Sequence, residues 1–385
     1  MFEVFALLFI CTILAAGIEN SAEKIEKDNK IARYSTSYSS ILLFVLIGIL
    51  IWFAGTRTRM NDTATYINSF RMKWLNGISE LNRIDWSLGE NPLFSVYQIL
   101  LKTYISSDPQ IFILISSAIV EFSMVFFLFR YSYDFGKSIY FFLTFTVYGF
   151  TMAAIKQTMA TAIAIWIIPC IQEKKYWKML FILAVGMLIH PYVVIIMIAM
   201  ILYDKGVWNR YLYIFIIATL VIGMAFSTFT NVIFRITELI GQDYEENWDI
   251  ASGGVGIARV MAYTIVPVIS FVFRKEIEEK HNRFFDLCIN MSIVAMCLSI
   301  ISWFGGAVLF GRLPAYFGLF ICIALPYVLH YANERYGNIV TILIFVAYLY
   351  YYTTYYNKFF VNYGIGMWDS VYYRISLLNL LMGEQ

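Results

Sequence analysis

Apolar runs about as long as a bilayer is thick follow one another along almost the whole chain. No other feature limits its fold so strongly. A helix rises about 1.5 Å per residue, so crossing a hydrocarbon core of about 30 Å takes about 20 residues. Spans are predicted near 1–18, 40–54, 109–130, 138–152, 153–172, 179–190, 191–203, 211–229, 257–273, 284–304, 312–330 and 339–356, twelve in all. Apolar residues make up 60% of the chain and charged ones 14%, whereas a soluble domain carries about 45–50% and about 25%. A soluble fold and a disordered chain are both excluded. The expectation is an all-α polytopic membrane protein, one integral membrane domain over 1–385. Only Glu3 precedes the apolar core of the first segment, so a cleaved signal peptide is not expected.

The segment 179–203 is one tilted span or two short ones broken at His190-Pro191, since proline removes a backbone donor and kinks a helix. Charge decides between them. With two spans, 16 of the 28 basic residues fall in short loops on one side, from Lys24, Lys27, Lys30 and Arg33 through Lys174, Lys175 and Lys178 to Arg335. The positive-inside rule then favours two spans and both termini outside. The outer set holds eight Arg and four Lys; the inner set holds six Arg and ten Lys. Lysine suffices for topology, whereas the planar arginine fork suits phosphate and carboxylate. An outward-facing anionic ligand is the first functional inference. The net charge of +2 suggests no nucleic-acid partner.

Inner loops read as short, featureless and solvated. Outer segments 55–108, 230–256 and 357–385 are longer, and long loops on one side mark a binding site. After Asn91-Pro92, apolar residues at helical spacing predict an amphipathic helix in the interface or a re-entrant element, and 357–385 has the same character. Tyr348, Tyr350, Tyr351, Tyr352, Tyr355 and Tyr356 suggest an aromatic belt, or a wall for sugar stacking. No internal repeat relates the halves, which weakens an inverted-repeat transporter.

The five cysteines lie in apolar runs without CxxC spacing, so disulfides and metal sites are not expected. There is no P-loop, no HExxH and no DxD, and no cofactor is called for. Candidate chemistry lies where charge meets a span end. Arg57, Arg59 and Asp62 stand within six residues; Arg59 and Asp62 pair if that stretch opens a helix. Lys156 sits between two apolar stretches, and an ionisable residue there marks a functional site by default. His190 stands at the break before Pro191. Arg259 and Arg312 each begin an inward-going span. Glu121 lies inside a span, its role open.

These residues resemble the Wzy-type polysaccharide polymerases, specifically the EpsG-like branch. The shared features run in order: Gly55…Arg57-x-Arg59…Asp62…Tyr66, Glu90-Asn91-Pro92-Leu93-Phe94, Gly149…Lys156-Gln157…Ala160, Ile189-His190-Pro191, Arg312…Tyr316-Phe317 and Tyr373-Arg374. Two positions depart from the family pattern: Lys156 stands where the family has Arg, and Pro191 where a small residue follows the His. The resemblance implies a C-type glycosyltransferase architecture. It implies a metal-independent enzyme that moves a growing glycan from undecaprenyl pyrophosphate onto the sugar of an incoming lipid-linked repeat unit, at the outer face of a bacterial cytoplasmic membrane. Pyrophosphate binding falls to Arg57, Arg59, Lys156, Arg259 and Arg312. The general base is His190 or Asp62, with His190 preferred because Asp62 stands beside Arg59. Tyr66, Gln157, Tyr316, Asp369 and Arg374 would contact acceptor or sugar. Membrane lipids, a chain-length regulator and a flippase are the expected partners. A flippase or other transporter, a membrane-bound O-acetyltransferase and an O-antigen ligase-type transferase are the alternatives.

Overall fold

The computed structural model describes residues 1–27, 30–226, 232, 235, 253–307 and 310–363. Most of the middle outer loop and the tail with Asp369 and Arg374 lie outside the described residues. The chain runs α1 (Phe2–Ser21), hairpin β1 (Glu23–Lys27) and β2 (Lys30–Tyr34), α2 (Ser37–Gly55), α3 (Thr63–Met72), α4 (Pro92–Tyr104), α5 (Pro109–Tyr131), α6 (Phe135–Thr144), α7 (Val147–Ala153), α8 (Ile155–Ala164) and α9 (Ile167–Gln172). It continues with α10 (Tyr176–Ile189), α11 (Ile198–Leu202) and α12 (Arg210–Met224). The last helices are α13 (Ile257–Val272), α14 (Arg274–Lys280), α15 (Arg283–Phe304), α16 (Gly318–Tyr336) and α17 (Ile339–Tyr363). Helices dominate because hydrocarbon offers the backbone no partner outside its own segment.

Among the described residues seven helical stretches are long and apolar enough to cross a membrane, or eight if α13 and α14, bent by 73°, form one span. Twelve were expected. The difference lies in breaks that apolar composition conceals. The predicted span 138–152 is two helices interrupted at Thr146, whose φ of 65° no regular helix contains. The segments 176–189, 191–202 and 210–224 form helices, but short ones.

The chain does turn back at His190, where the backbone is extended and 191–197 continues as a 3-10 turn. A Cβ placed on Gly186 would lie 3.2 Å from Val193, so the two limbs touch. The returning limb ends where Asp204 pairs with Arg283 at 3.3 Å, beside the start of α15. At about 1.5 Å per residue neither limb crosses about 30 Å alone.

Local caps set the helix starts. Thr36 and Ser39 form a reciprocal capping box on α2, and Asp108, Asp134, Asn209 and Asn282 each accept a hydrogen bond from the first turn that follows. α15 is the most enclosed span and packs against α12, α13, α16 and the 310–317 turn. α17 lies at the periphery, yet Tyr348, Tyr352 and Tyr356 are buried. The Tyr348 hydroxyl donates to the Ala262 carbonyl at 2.8 Å and that of Tyr352 to the Val4 carbonyl at 2.6 Å. These three tyrosines bolt α17 to its neighbours rather than lining a surface.

One of the loops expected on the inner side is not featureless. Strands β1 and β2 pair in antiparallel register with Lys24 opposite Arg33. Arg33 is fully buried, pairs with Glu19 at 2.6 Å and donates to the Phe129 carbonyl at 2.8 Å. A residue read as a solvated topological charge ties the ends of α1 and α5 together.

Candidate functional site

At the opposite end of the bundle from this hairpin, four distant parts of the chain converge. The first is the loop 56–62 after α2. Its backbone holds Met60 at φ 135° and Asn61 at φ 44°, conformations that cost a non-glycine residue of order 1–3 kcal/mol each. Thr63 Oγ1 donates to the Met60 carbonyl at 2.8 Å and holds the turn. Asp62 is thereby set at the start of α3 with its carboxylate turned outward, unused as a cap. The other end of α3 is capped by Lys102 from α4, whose ammonium donates to the carbonyls of Phe70, Arg71 and Lys73 at 2.8, 3.0 and 2.7 Å.

The second part is the 3-10 turn 310–317. Gln157 Nε2 donates to the Arg312 carbonyl at 2.8 Å, and Arg259 Nη2 donates to the carbonyl of Gly311. Held from two sides, the turn extends the Arg312 guanidinium to Asp62, with Nη2 to Oδ2 at 3.2 Å and both side chains partly open to solvent.

The start of α8 brings Lys156 alongside. Its ammonium stands 5.9 Å from the centre of the Phe94 ring on α4 and interacts electrostatically with Lys73, Glu90, Asp62 and Arg312. Its backbone N–H donates to the Tyr66 hydroxyl at 3.4 Å. Burial pushes the Tyr66 phenol up to about 12, and Asp62 adds to this while Lys156 N–H, Arg312 and Arg57 oppose it. Tyr66 therefore stays a neutral donor at physiological pH.

The His190 break supplies the remaining ring. His190 Nδ1 lies 3.5 Å from the Tyr316 hydroxyl, with the rings edge to face, and interacts electrostatically with Lys156 and Arg312. Asp62, Tyr66, Lys156, Gln157, His190, Arg312 and Tyr316, all singled out in the sequence, thus meet in one cluster. Arg59 is exposed on the same loop as Asp62. Arg259 stands one residue behind Arg312, acting on its backbone.

Arg57 is placed differently. Only 1% exposed, it donates from Nε to Thr63 Oγ1 at 3.2 Å and to the Met152 carbonyl at 3.1 Å. Its Nη1 reaches Ser117 Oγ at 3.1 Å and the Ala54 carbonyl. It lies inside the bundle, among groups of α5 and the end of α7. Sequence reasoning missed Lys73 and Lys102, whose only signal was their place around an amphipathic stretch, and absorbed Glu90 into a motif without a role.

The fold defines a polytopic α-helical membrane protein with a mixed, mainly cationic cluster of side chains at one end of its bundle. The match of a family model over residues 40–365 goes further: the chain belongs to the EpsG family. That membership indicates a polysaccharide polymerase of glycosyltransferase type. No curated protein and no solved structure matches the chain.

Proposed function

We propose that this protein polymerises lipid-linked oligosaccharide repeat units. It transfers the growing glycan from undecaprenyl pyrophosphate to the sugar of an incoming undecaprenyl-pyrophosphate repeat unit. The observation that carries this reading is the convergence of Arg312, Lys156, Asp62 and His190 from four separate segments at one end of a membrane bundle.

A diphosphate leaving group gains negative charge as its glycosidic bond breaks, and preorganised cations stabilise that charge. Arg312 and Lys156 face it, with Arg59 at the rim. Arg259 and Gln157 keep the Arg312 turn from moving, so little reorganisation accompanies the reaction. The Asp62 carboxylate is engaged by Arg312, so proton removal from the acceptor hydroxyl falls to His190. With Nδ1 turned towards Tyr316, Nε2 is the nitrogen left for that hydroxyl. Tyr66 donates to a sugar oxygen, and Asp369 and Arg374 belong to the acceptor side. The sequence offers no DxD for a metal clamp, which accords with cations supplied by the chain itself.

In this reading the short and broken helices complete twelve passes in a C-type architecture. The cluster faces the periplasm or cell exterior from a bacterial cytoplasmic membrane. A flippase delivers the units and a chain-length regulator limits them. Purified protein incubated with a lipid-pyrophosphate oligosaccharide, without metal or nucleotide, tests the reading. A ladder of products supports it; a single transfer indicates a ligase, and no reaction indicates transport.

A further inference from the structure

Arg57 is a cation that the proposed chemistry does not use. At 1% exposure its guanidinium offers no face to a pyrophosphate. A guanidinium does not shed its charge in a protein, so its enclosure has to be compensated by hydrogen bonds. Helix ends supply them. The last carbonyls of a helix have no partner within it, and cations are favoured there. The Ala54 carbonyl at the end of α2 accepts from Arg57 Nη1, and the Met152 carbonyl at the end of α7 accepts from Nε at 3.1 Å. Two hydroxyls also accept: Thr63 Oγ1 on α3 from Nε at 3.2 Å, and Ser117 Oγ on α5 from Nη1 at 3.1 Å.

These acceptors stand at both ends of the loop that carries Asp62. Ala54 precedes it, and Thr63 follows directly after Asp62. The Thr63 hydroxyl lies 2.8 Å from the Met60 carbonyl and 3.3 Å from that of Met152. Gln110 Nε2, on α5, clamps the carbonyls of Gly55 and of Arg57 itself at 2.6 and 2.9 Å. The turn at Met60 and Asn61, with positive φ at both, persists only where its surroundings over-determine it. Met152 in turn stands four residues before Lys156, across the break between α7 and α8 at Ala154. One enclosed side chain thus spans the loop bearing Asp62 and the chain leading to Lys156.

We infer that Arg57 is a positioning residue rather than a substrate contact. Its guanidinium ties the carbonyl ends of α2 and α7 to the start of α3, and so sets Asp62 and Lys156 relative to Arg312. The catalytic half of this inference rests on the polymerase reading; the structural half does not. A misplacement of about 1 Å at a reacting centre can cost about 10²-fold in rate, so loosening this strut acts on turnover more than on binding.

The test uses the full chain in detergent, with Arg57→Lys and the milder Ser117→Ala. Arg57→Lys keeps a positive charge but loses the planar fork that reaches two helix ends at once. Ser117→Ala removes one acceptor on α5, away from the cluster. Limited trypsin cleavage after the exposed Arg59, read by product mass, reports on the loop without reference to any reaction. Polymerisation assays give kcat per folded molecule and KM for the lipid-linked unit. Arg57→Lys is expected to be cut after Arg59 at least fivefold faster than wild type. It should lose at least tenfold in kcat with KM changed by less than threefold, and Ser117→Ala should shift cleavage and kcat the same way by at least twofold. Unchanged cleavage overturns the inference. Faster cleavage with wild-type kcat overturns it too, since the strut would then only stabilise the fold. A tenfold rise in KM with kcat retained also overturns it, by making Arg57 a substrate contact. If Arg57→Lys does not fold, Ser117→Ala decides by its own twofold criteria. Arg312→Ala separates the two levels: wild-type polymer from that variant refutes the reading of the cluster, while the cleavage rates still decide whether Arg57 holds the loop.

Discussion

Arg312 and Asp62 are 250 residues apart in sequence, and their side chains meet at 3.2 Å. Exposed ion pairs of this kind contribute about 0–1 kcal/mol to stability, so the contact is a poor structural staple. Under the proposed function it is a pre-set arrangement in which the pyrophosphate of the substrate competes with Asp62 for the guanidinium. Arg312→Ala should abolish polymer and leave single lipid-linked units in the membrane, with a melting temperature close to wild type. Normal chain-length distribution in that variant would sink the assignment.

Lys156 stands beside Phe94 and Tyr66, and the proposed function uses it as a charge. Lys156→Arg keeps the charge and should retain at least a third of wild-type turnover. Lys156→Met should lose at least tenfold, measured as kcat/KM on a lipid-pyrophosphate oligosaccharide. Equal activity of the two variants would remove Lys156 from the site.

His190 as proton acceptor predicts a kcat effect. General base catalysis contributes typically about 10²–10⁴-fold, so His190→Gln should fall in that range with KM little changed. Tyr316→Phe removes the hydroxyl facing Nδ1 and should cost less than His190→Gln. A larger loss in Tyr316→Phe would give Tyr316 the leading role.

At the other end of the molecule, Arg33 is wholly buried against Glu19 and the Phe129 carbonyl. Removing one partner of a buried pair costs about 3–5 kcal/mol. Arg33→Ala should lower the melting temperature sharply while leaving kcat per folded molecule within twofold.

Gly55 lets α2 approach α5, since a Cβ there would stand 3.0 Å from the Leu114 Cα. Small residues permit such close crossings in membranes. Overpacking costs typically about 1–3 kcal/mol, so Gly55→Val should reduce folded yield and thermal stability. An unchanged melting temperature would show that the crossing can open.

Membership of the EpsG family and the membrane class were both legible in the residues, and several of the residues singled out are brought together around Arg312. Less legible was how each one is used. Arg57 and Arg59 are two positions apart in one short motif, yet the first lies inside the bundle and the second at the surface. Spacing cannot separate them, because their burial depends on Ser117, Met152 and Thr63 arriving from other segments. The twelve predicted spans were read from hydropathy, which does not register a break such as Thr146 within an apolar run. The hairpin that buries Arg33 was hidden in a loop whose charges look the same whether solvated or paired.

What the sequence determined alone is the partition of the chain between bilayer and water. That partition is a sum over local composition: each apolar run answers to the membrane by itself, and each cluster of lysines weights one end. The tertiary structure alone decided which of the scarce charges stand open to solvent, as Arg312 and Asp62 do, and which are enclosed, as Arg33 and Arg57 are. Such choices depend on which helices pack together, and so on contacts such as that of Arg312 with Asp62, which no local stretch of sequence contains.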